Sequence, residues 1–111
     1  MDKFMIATSE QPITALYRNK VIEKAQLPLR FVGISSCFRK EAGSSGRDIR
    51  GIFRVHQFEK VEQFVICDEE NSREEHDRLK NIAEKFYQSL GLAYHIVNIV
   101  SGEINDAASK K

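Results

Sequence analysis

The run of apolar and polar positions along the chain predicts two β-strands joined by a polar loop. Residues 29–38 form one apolar-rich run, and residues 52–67 form a longer run rich in Val, Ile and Phe. Between them lies Gly-Ser-Ser-Gly-Arg-Asp (43–48), a turn cluster without apolar residues. These elements predict a β-hairpin whose loop is longer than a tight turn requires, and loops of that length are often functional.

Helical spacing of apolar residues predicts a helix on each side of the hairpin. Before it, Thr8 and Gln11 have the spacing of a capping box and predict a helix of two to three turns ending near Tyr17. After it, Ser72 and Glu75 predict a second capped helix, along which Leu79, Ile82, Phe86 and Leu90 recur at helical spacing.

Gly91 follows this second helix at the place of a C′ glycine. Residues 92–100 predict a last strand, and residues 101–111 are polar. The whole pattern predicts an α+β fold.

Composition narrows the class of protein. With 111 residues the chain is one domain or part of one, and 41% hydrophobic with 30% charged residues is typical of a soluble globular protein. No apolar run reaches the roughly 20 residues that cross a bilayer, and the N-terminus has no signal-peptide pattern. We therefore expect a cytoplasmic protein with no membrane partner.

The cysteines and histidines do not predict a metal site. Cys37 and Cys67 each lie in an apolar strand-like run, at a spacing unlike that of a metal knuckle, and both are interpreted as small buried hydrophobic residues. The three histidines form no cluster. We expect no metal bound by the chain itself.

Charge is unevenly distributed although the formal net charge is only +1. Residues 39–60 contain six basic and three acidic side chains, and an acidic stretch follows. This distribution is consistent with a local anion site, for which a phosphate is the natural ligand. Two solvated surfaces would show the same pattern.

Strand periodicity turns this basic stretch into a candidate pocket. Alternate residues share a face of a strand, so one side carries Arg54, His56, Phe58, Lys60 and Glu62. The other side, which can face the core, carries Val55, Val61 and Val65. The first row predicts a pocket floor with cations for phosphate, an aromatic ring for a flat ring, and a carboxylate for an ammonium group.

On the first strand, Arg39 and Glu41 share a face and would add to this pocket. Simpler interpretations remain: a surface ion pair for Arg39 and Glu41, ordinary core packing for Phe58, and a solvated Glu62. The loop lacks the Gly-Lys-Ser/Thr of a Walker A phosphate site.

These residues resemble motif 2 of the class II aminoacyl-tRNA synthetases, in the form found in the seryl branch. The resemblance is carried by Cys-Phe-Arg-Lys-Glu-Ala-Gly (37–43), Gly-Arg-Asp (46–48) and Gly-Ile-Phe-Arg-Val-His-Gln-Phe-Glu-Lys-Val-Glu-Gln-Phe (51–64). Ala-Thr-Ser-Glu (7–10) resembles the serine-binding loop of that branch, and residues 100–108 resemble the segment before its next ATP-binding stretch. The likeness covers essentially the whole chain and implies part of the class II antiparallel sheet with flanking helices.

The resemblance implies a nucleotide role for five residues. Arg39, the implied catalytic residue, would hold the α-phosphate of ATP and the carboxylate of serine. Glu41 would contact the adenine amino group, and Arg54 would bind the γ-phosphate. Phe58 would stack on adenine, and Val55 would meet the base through its backbone.

It also implies the other contacts of the reaction. Thr8, Glu10 and Glu62, with Arg39, would hold L-serine, and Arg47 and Arg50 would contact the acceptor end of tRNA(Ser). The implied activity is ATP-dependent formation of seryl-adenylate and transfer of the seryl group to tRNA. Mg²⁺ would enter with ATP, its protein ligand lying beyond the C-terminal end.

The same resemblance predicts a partial catalytic core over residues 1–111: a serine-binding loop, a motif 2 hairpin, and a following helix and strand. Motif 1, motif 3 and the tRNA-binding coiled-coil arm have no counterpart in the sequence. We expect the full-length enzyme to be a homodimer and this chain alone to be inactive.

Two alternatives in function stay open at this point: a synthetase-like paralogue that charges a carrier protein, and a non-catalytic nucleotide-binding module. A class II specificity for threonine or proline is a further alternative.

Overall fold

The computed structural model describes residues 2–40 and 55–111, which fold as the α+β arrangement that the sequence predicts. The chain divides into two compact units, residues 1–76 and 77–111. In chain order the elements are helix α1 (Glu10–Leu16), a 3₁₀ turn (Lys24–Gln26), strand β1 (Leu29–Phe38), strand β2 (Gln57–Ile66), helix α2 (Ser72–Ser89) and a second 3₁₀ turn (Ser101–Glu103).

The predicted hairpin is confirmed as an antiparallel pair of ten-residue strands. Leu29 lies opposite Ile66 and Phe38 opposite Gln57, with every position between them in register. The predicted loop residues 43–48 lie outside the described residues. Because side chains alternate along each strand, this register decides which residues share a face of the sheet.

One face of the hairpin is covered by α1. Ser9 and Ile13 lie against Gly33, and the Tyr17 ring lies 5.7 Å from the ring of Phe31. Phe31 in turn lies 6.3 Å from Phe64. This apolar packing holds α1 on the same side of the sheet as the charged row of β2.

The opposite face is not covered as the sequence analysis expected. Val55, which precedes β2, and Val61 and Val65 on β2 could face a core by their alternation, but Val61 is 68% and Val55 39% exposed, and only Val65 is half-buried. Their neighbours on β1, Val32 and Ile34, are 67% and 78% exposed. The expectation was wrong for Val55 and Val61 because α1 packs on the other face, against Phe31 and Phe64.

Arg30, on this second face, connects β1 to the start of α2. Its guanidinium donates to both carboxylate oxygens of Glu75, with Nε to Oε2 at 3.2 Å. Glu75 is 8% exposed, and its hydrogen bond raises the pKa of Arg30. The Ser72–Glu75 capping box is therefore wrong: Ser72 is the first helical residue and its hydroxyl donates to the Glu69 carbonyl, while Glu75 is committed to Arg30.

The predicted cap of α1 is also displaced by one residue. Ser9 is the N-cap, although its side chain makes no capping hydrogen bond. The Thr8 hydroxyl instead accepts a hydrogen bond from Lys60 at 2.8 Å. A long-range polar contact thus replaces the local one that the spacing predicted.

The end of α2 is as predicted. Gly91 has φ +66°, its N–H donates to the Gln88 carbonyl, and the Leu92 N–H donates to the Tyr87 carbonyl. This is a Schellman ending with glycine at C′. Residues 92–100, however, form no strand. A strand requires a hydrogen-bonded neighbour, and the Ile99 N–H instead donates to the Lys111 carbonyl at the end of the chain.

The cysteines behave as small hydrophobic residues. Cys37 is fully buried and Cys67 is half-buried, and both are free thiols. Partial burial raises the pKa of the Cys67 thiol, and the Asp68 and Glu75 carboxylates raise it further. A thiol with a raised pKa is less often a thiolate, which is the reactive form.

Candidate functional site

The covered face of the sheet brings together oxygen atoms from two distant parts of the chain. Thr8 and Glu10 lie at the start of α1, and Glu62 lies on β2 opposite Gly33. All three contact the ammonium of Lys60: Thr8 Oγ1 at 2.8 Å, Glu10 Oε2 at 3.6 Å, and Glu62 Oε1. Three of the predicted serine-binding residues therefore form one cluster.

A close backbone contact holds the start of α1 in this place. A Cβ added at Gly33 would lie 2.5 Å from Ser9 Oγ and 2.9 Å from Ser9 Cβ, distances at which one side must move. Ser9 is 6% exposed, and within residues 2–40 and 55–111 its hydroxyl has no hydrogen-bond partner. Because Ser9 lies between Thr8 and Glu10, its seat against Gly33 positions both of them.

The second half of the candidate site lies at the open end of the hairpin. Arg39 Nε donates to the Val55 carbonyl at 2.9 Å, and its guanidinium carbon lies 4.7 Å from the centre of the Phe58 ring. That distance allows a cation–π interaction. The Arg39 N–H donates to the His56 carbonyl at 2.9 Å, which extends the strand pairing by one residue.

The two halves lie along one strand face. Phe58, Lys60 and Glu62 alternate on β2, opposite Cys37, Ser35 and Gly33 of β1. An aromatic ring with a guanidinium is thus placed at one end of the row and a cluster of oxygens at the other. Such a face suits a ligand with a flat ring at one end and an ammonium group at the other.

Several predicted site residues lie outside the part of the chain that the structure describes. Glu41 and Arg54 of the nucleotide set, and Arg47 and Arg50 of the tRNA set, lie outside the described residues. Within residues 2–40 and 55–111, no group of three or more His, Cys, Asp or Glu side chains could hold a metal ion. No helix in the same residues is long and apolar enough to span a membrane.

The contacts of Lys60 differ from those that the sequence predicts, and the roles of Ser9 and Gly33 were not predicted. Lys60 was grouped with cations for phosphate, but it lies among carboxylates. Its position two residues before Glu62 signals the shared face, yet the contacts with Thr8 and Glu10 depend on a fold that brings residues about 50 positions apart together. For Gly33, a glycine inside a strand is a known sign of close backbone approach, and it was available in the sequence.

Comparison with known proteins identifies the family of the chain. All of residues 1–111 match the family described as tRNA synthetase class II core domain (G, H, P, S and T). The chain is 58% identical over 110 residues to the cytoplasmic serine–tRNA ligase of Dictyostelium discoideum, with 99% of this chain and 24% of that protein covered. It is 57% identical over 112 residues to the cytoplasmic serine–tRNA ligase of Homo sapiens, with 99% and 22% covered.

Solved structures give the same result. A seryl-tRNA synthetase from Pyrococcus horikoshii complexed with ATP superimposes with a TM-score of 0.88 at 47% identity, over 95% of this chain and 24% of that one. A cytoplasmic serine–tRNA ligase from Naegleria fowleri in complex with AMP superimposes with a TM-score of 0.92 at 53% identity, over 99% and 26%. The chain spans 22–24% of the length of the curated relatives.

Proposed function

Because the chain belongs to the class II tRNA synthetase core family, we propose that it supplies the amino-acid and nucleotide pocket of a serine–tRNA ligase. The parent enzyme activates L-serine with ATP and transfers the seryl group to tRNA(Ser). The observation that supports this proposal is that the β2 face carrying Phe58, Lys60 and Glu62 meets Thr8 and Glu10 of the α1 start near Glu62 and Arg39 near Phe58. The relatives named above do not favour the carrier-protein alternative.

In the first step, an oxygen of the serine carboxylate attacks the α-phosphorus of ATP. A new carboxyl–phosphate bond forms, the bond from the α-phosphorus to the bridging oxygen breaks, and pyrophosphate leaves. Such phosphoryl transfer depends on positioning and charge neutralisation more than on a proton-transfer base. Arg39 has the required charge and lies beside the ring that would stack on adenine, Phe58.

The remaining nucleotide contacts are assigned by the resemblance. The Val55 backbone and Glu41 meet the adenine, and Arg54 binds the γ-phosphate. Mg²⁺ enters the site bound to ATP. In the second step, a ribose hydroxyl at the tRNA 3′ end loses its proton and attacks the seryl carbonyl, and AMP leaves.

Serine is held through its ammonium, hydroxyl and carboxylate groups. Thr8, Glu10 and Glu62 accept hydrogen bonds from its ammonium and hydroxyl groups, and Arg39 receives its carboxylate. A pocket that reads a hydroxyl rejects alanine, because the polar groups of the pocket would be left unpaired. The half-buried state of these side chains increases that penalty.

The partners follow from the same proposal. Arg47 and Arg50 contact the acceptor end of tRNA(Ser) through its phosphates. The full-length protein is a homodimer. It is cytoplasmic, which is the location in the names of the relatives given above.

Serine-dependent exchange between ATP and pyrophosphate by the full-length parent protein tests the proposal. We expect exchange with L-serine, and we expect Arg39→Ala to lower kcat/KM by roughly 10²–10³-fold, as for other residues that stabilise transition-state charge. Alanine, threonine and proline serve as comparison substrates. Faster exchange with threonine or proline than with serine would show that the specificity is wrong, and nucleotide binding without exchange would support a non-catalytic module.

A further inference from the structure

The ammonium of Lys60 occupies the centre of the oxygen cluster although no predicted serine contact involves this residue. It donates to Thr8 Oγ1 at 2.8 Å, lies 3.6 Å from Glu10 Oε2, and contacts Glu62 Oε1. The contact with Thr8 is a hydrogen bond, and those with Glu10 and Glu62 are ion pairs, since both carboxylate oxygens lack a hydrogen-bond partner among the described residues.

These three contacts join two segments that are distant in sequence. Thr8 and Glu10 flank the N-cap of α1, whereas Lys60 and Glu62 lie two residues apart on the same face of β2. Ser9, between Thr8 and Glu10, has no hydrogen-bond partner among the described residues. The polar connection between the start of α1 and β2 that the structure shows therefore passes through Lys60.

Charge in the cluster is matched to an additional cation. Glu10 and Glu62 contribute two negative charges and Lys60 one positive charge, which leaves one negative charge for a ligand ammonium. The Glu62 side chain is 14% exposed and that of Lys60 35%, so solvent screens this pair less than a surface pair, whereas the Glu10 side chain, at 42%, is more open to solvent. Without Lys60, two carboxylates would face each other across the pocket and would repel.

We propose that Lys60 is a positioning residue for the amino-acid pocket: it fixes Thr8, Glu10 and Glu62 in the arrangement that receives the serine ammonium and hydroxyl. This inference rests on the proposed function. Lys60 acts through the three oxygen-bearing residues and does not itself bind substrate.

A phosphate-binding role for Lys60 fits the contacts less well. The ammonium is in contact with two carboxylates, which would repel a phosphate placed near it. At the other end of the row, Arg39 and Phe58 lie together and form the nucleotide half of the site. Lys60 therefore belongs to the amino-acid half.

The test is steady-state ATP–pyrophosphate exchange by the full-length parent enzyme with Lys60→Met and Lys60→Arg. Methionine keeps most of the side-chain length and removes the charge. We expect Lys60→Met to raise KM for serine by about tenfold, the scale of coupling within one polar network, and to leave KM for ATP within about twofold. Lys60→Arg keeps the charge, but its planar fork cannot direct donors at three converging oxygens, so we expect a smaller rise.

Lys24→Met is the matched control. Lys24 pairs with Glu70 at 3.3 Å in an exposed ion pair, with side chains 72% and 79% exposed. It should leave KM for serine within about twofold of the wild type, because exposed ion pairs contribute little. If Lys60→Met does not fold, as judged by its thermal transition, the KM values of Lys60→Arg decide.

Each other outcome would overturn the inference in a recognisable way. An unchanged KM for serine would show that the contacts are incidental, and a lower one would show that Lys60 competes with the substrate ammonium. A rise confined to KM for ATP would show a phosphate-binding role. Absence of serine-dependent exchange in the wild type would instead overturn the proposed function, and this inference with it.

Discussion

At the scale of the residue, the absence of a side chain at Gly33 is what admits α1 to the sheet. The Ser9 hydroxyl oxygen lies 2.5 Å from the place that a Cβ at Gly33 would occupy. Glu62 is the cross-strand partner of Gly33, so the site of close approach is also the site of the pocket carboxylate. A glycine inside a strand normally weakens the strand. Here the missing side chain lets Ser9 approach the backbone of β1 closely.

Gly33→Ala should therefore impair serine binding in the parent enzyme. The added methyl group must displace Ser9, and Thr8 and Glu10 move with it, so we expect KM for serine to rise about tenfold. Ser9→Gly removes the two atoms nearest to the new methyl group, Ser9 Oγ and Cβ, and leaves only Ile13 Cδ1 at 3.0 Å, so the double variant Gly33→Ala/Ser9→Gly should recover most of the loss. Exchange kinetics of the single and double variants measure the coupling.

Gly102→Ala is the control for this pair, because a Cβ there would meet nothing within 4 Å. A double variant no better than Gly33→Ala alone would show that the Ser9 contact does not explain the loss.

The residue scale also shows what sequence reasoning can reach. Strand parity correctly placed Phe58, Lys60 and Glu62 on one face, since alternation is a local property. It could not find the partners of Lys60, because Thr8 and Glu10 approach β2 only after α1 has packed on Phe31 and Phe64. The Thr8 cap and the Glu75 half of the second capping box failed for the same reason, because tertiary contacts with Lys60 and Arg30 compete for side chains that local spacing assigns to helix ends.

At the scale of the element, a predicted helix or strand was confirmed where its end signals and its hydrogen-bonded partner are both present. The hairpin and both helices were predictable because each has its own periodic signal and its own turn or stop residues. The strand over 92–100 was not, because an apolar run becomes a strand only when another strand accepts its hydrogen bonds. The end of α2, in contrast, was predictable from one residue, because a glycine after a helix indicates the left-handed backbone conformation that Gly91 has.

Replacement of Gly91 should destabilise the end of α2. At φ +66° a Cβ meets no atom within 4 Å, so the cost is one of backbone conformation and not of crowding. We expect Gly91→Ala to lower the free energy of unfolding by about 1 kcal/mol, and Gly91→Asn by less, because asparagine tolerates this region better. Urea denaturation measures the difference, again with Gly102→Ala as the comparison. Equal stability of the Ala and Gly forms would contradict this explanation.

At the scale of the whole molecule, the second face of the hairpin is an exposed apolar surface. Val32, Ile34 and Val61 are each more than 60% exposed, and Ile34 and Val61 are direct cross-strand partners. Contiguous exposed apolar residues on a sheet favour association with other protein surface. The alternation of residues shows that a face is apolar, but it does not show what covers that face.

The 111-residue chain alone should therefore self-associate through this face. We expect the apparent mass in sedimentation equilibrium to rise with protein concentration. Ile34→Thr/Val61→Thr should reduce the association, because threonine keeps strand propensity and removes apolar surface. Val21→Thr changes a residue that is 93% exposed and lies outside the strands, and it should have no effect. A concentration-independent monomer would contradict the prediction.

The register of β2 also sets a length. Phe58 and Glu62 are four residues apart on one strand, so a rise of about 3.3 Å per residue separates their backbones by about 13 Å. A free amino acid is too short to touch both ends of that interval, and so is a purine base. A molecule in which a phosphate and a ribose join the amino acid to the base can reach both at once. We therefore expect the joined intermediate to contact both ends of this strand face at once, which neither the free amino acid nor the free base can do.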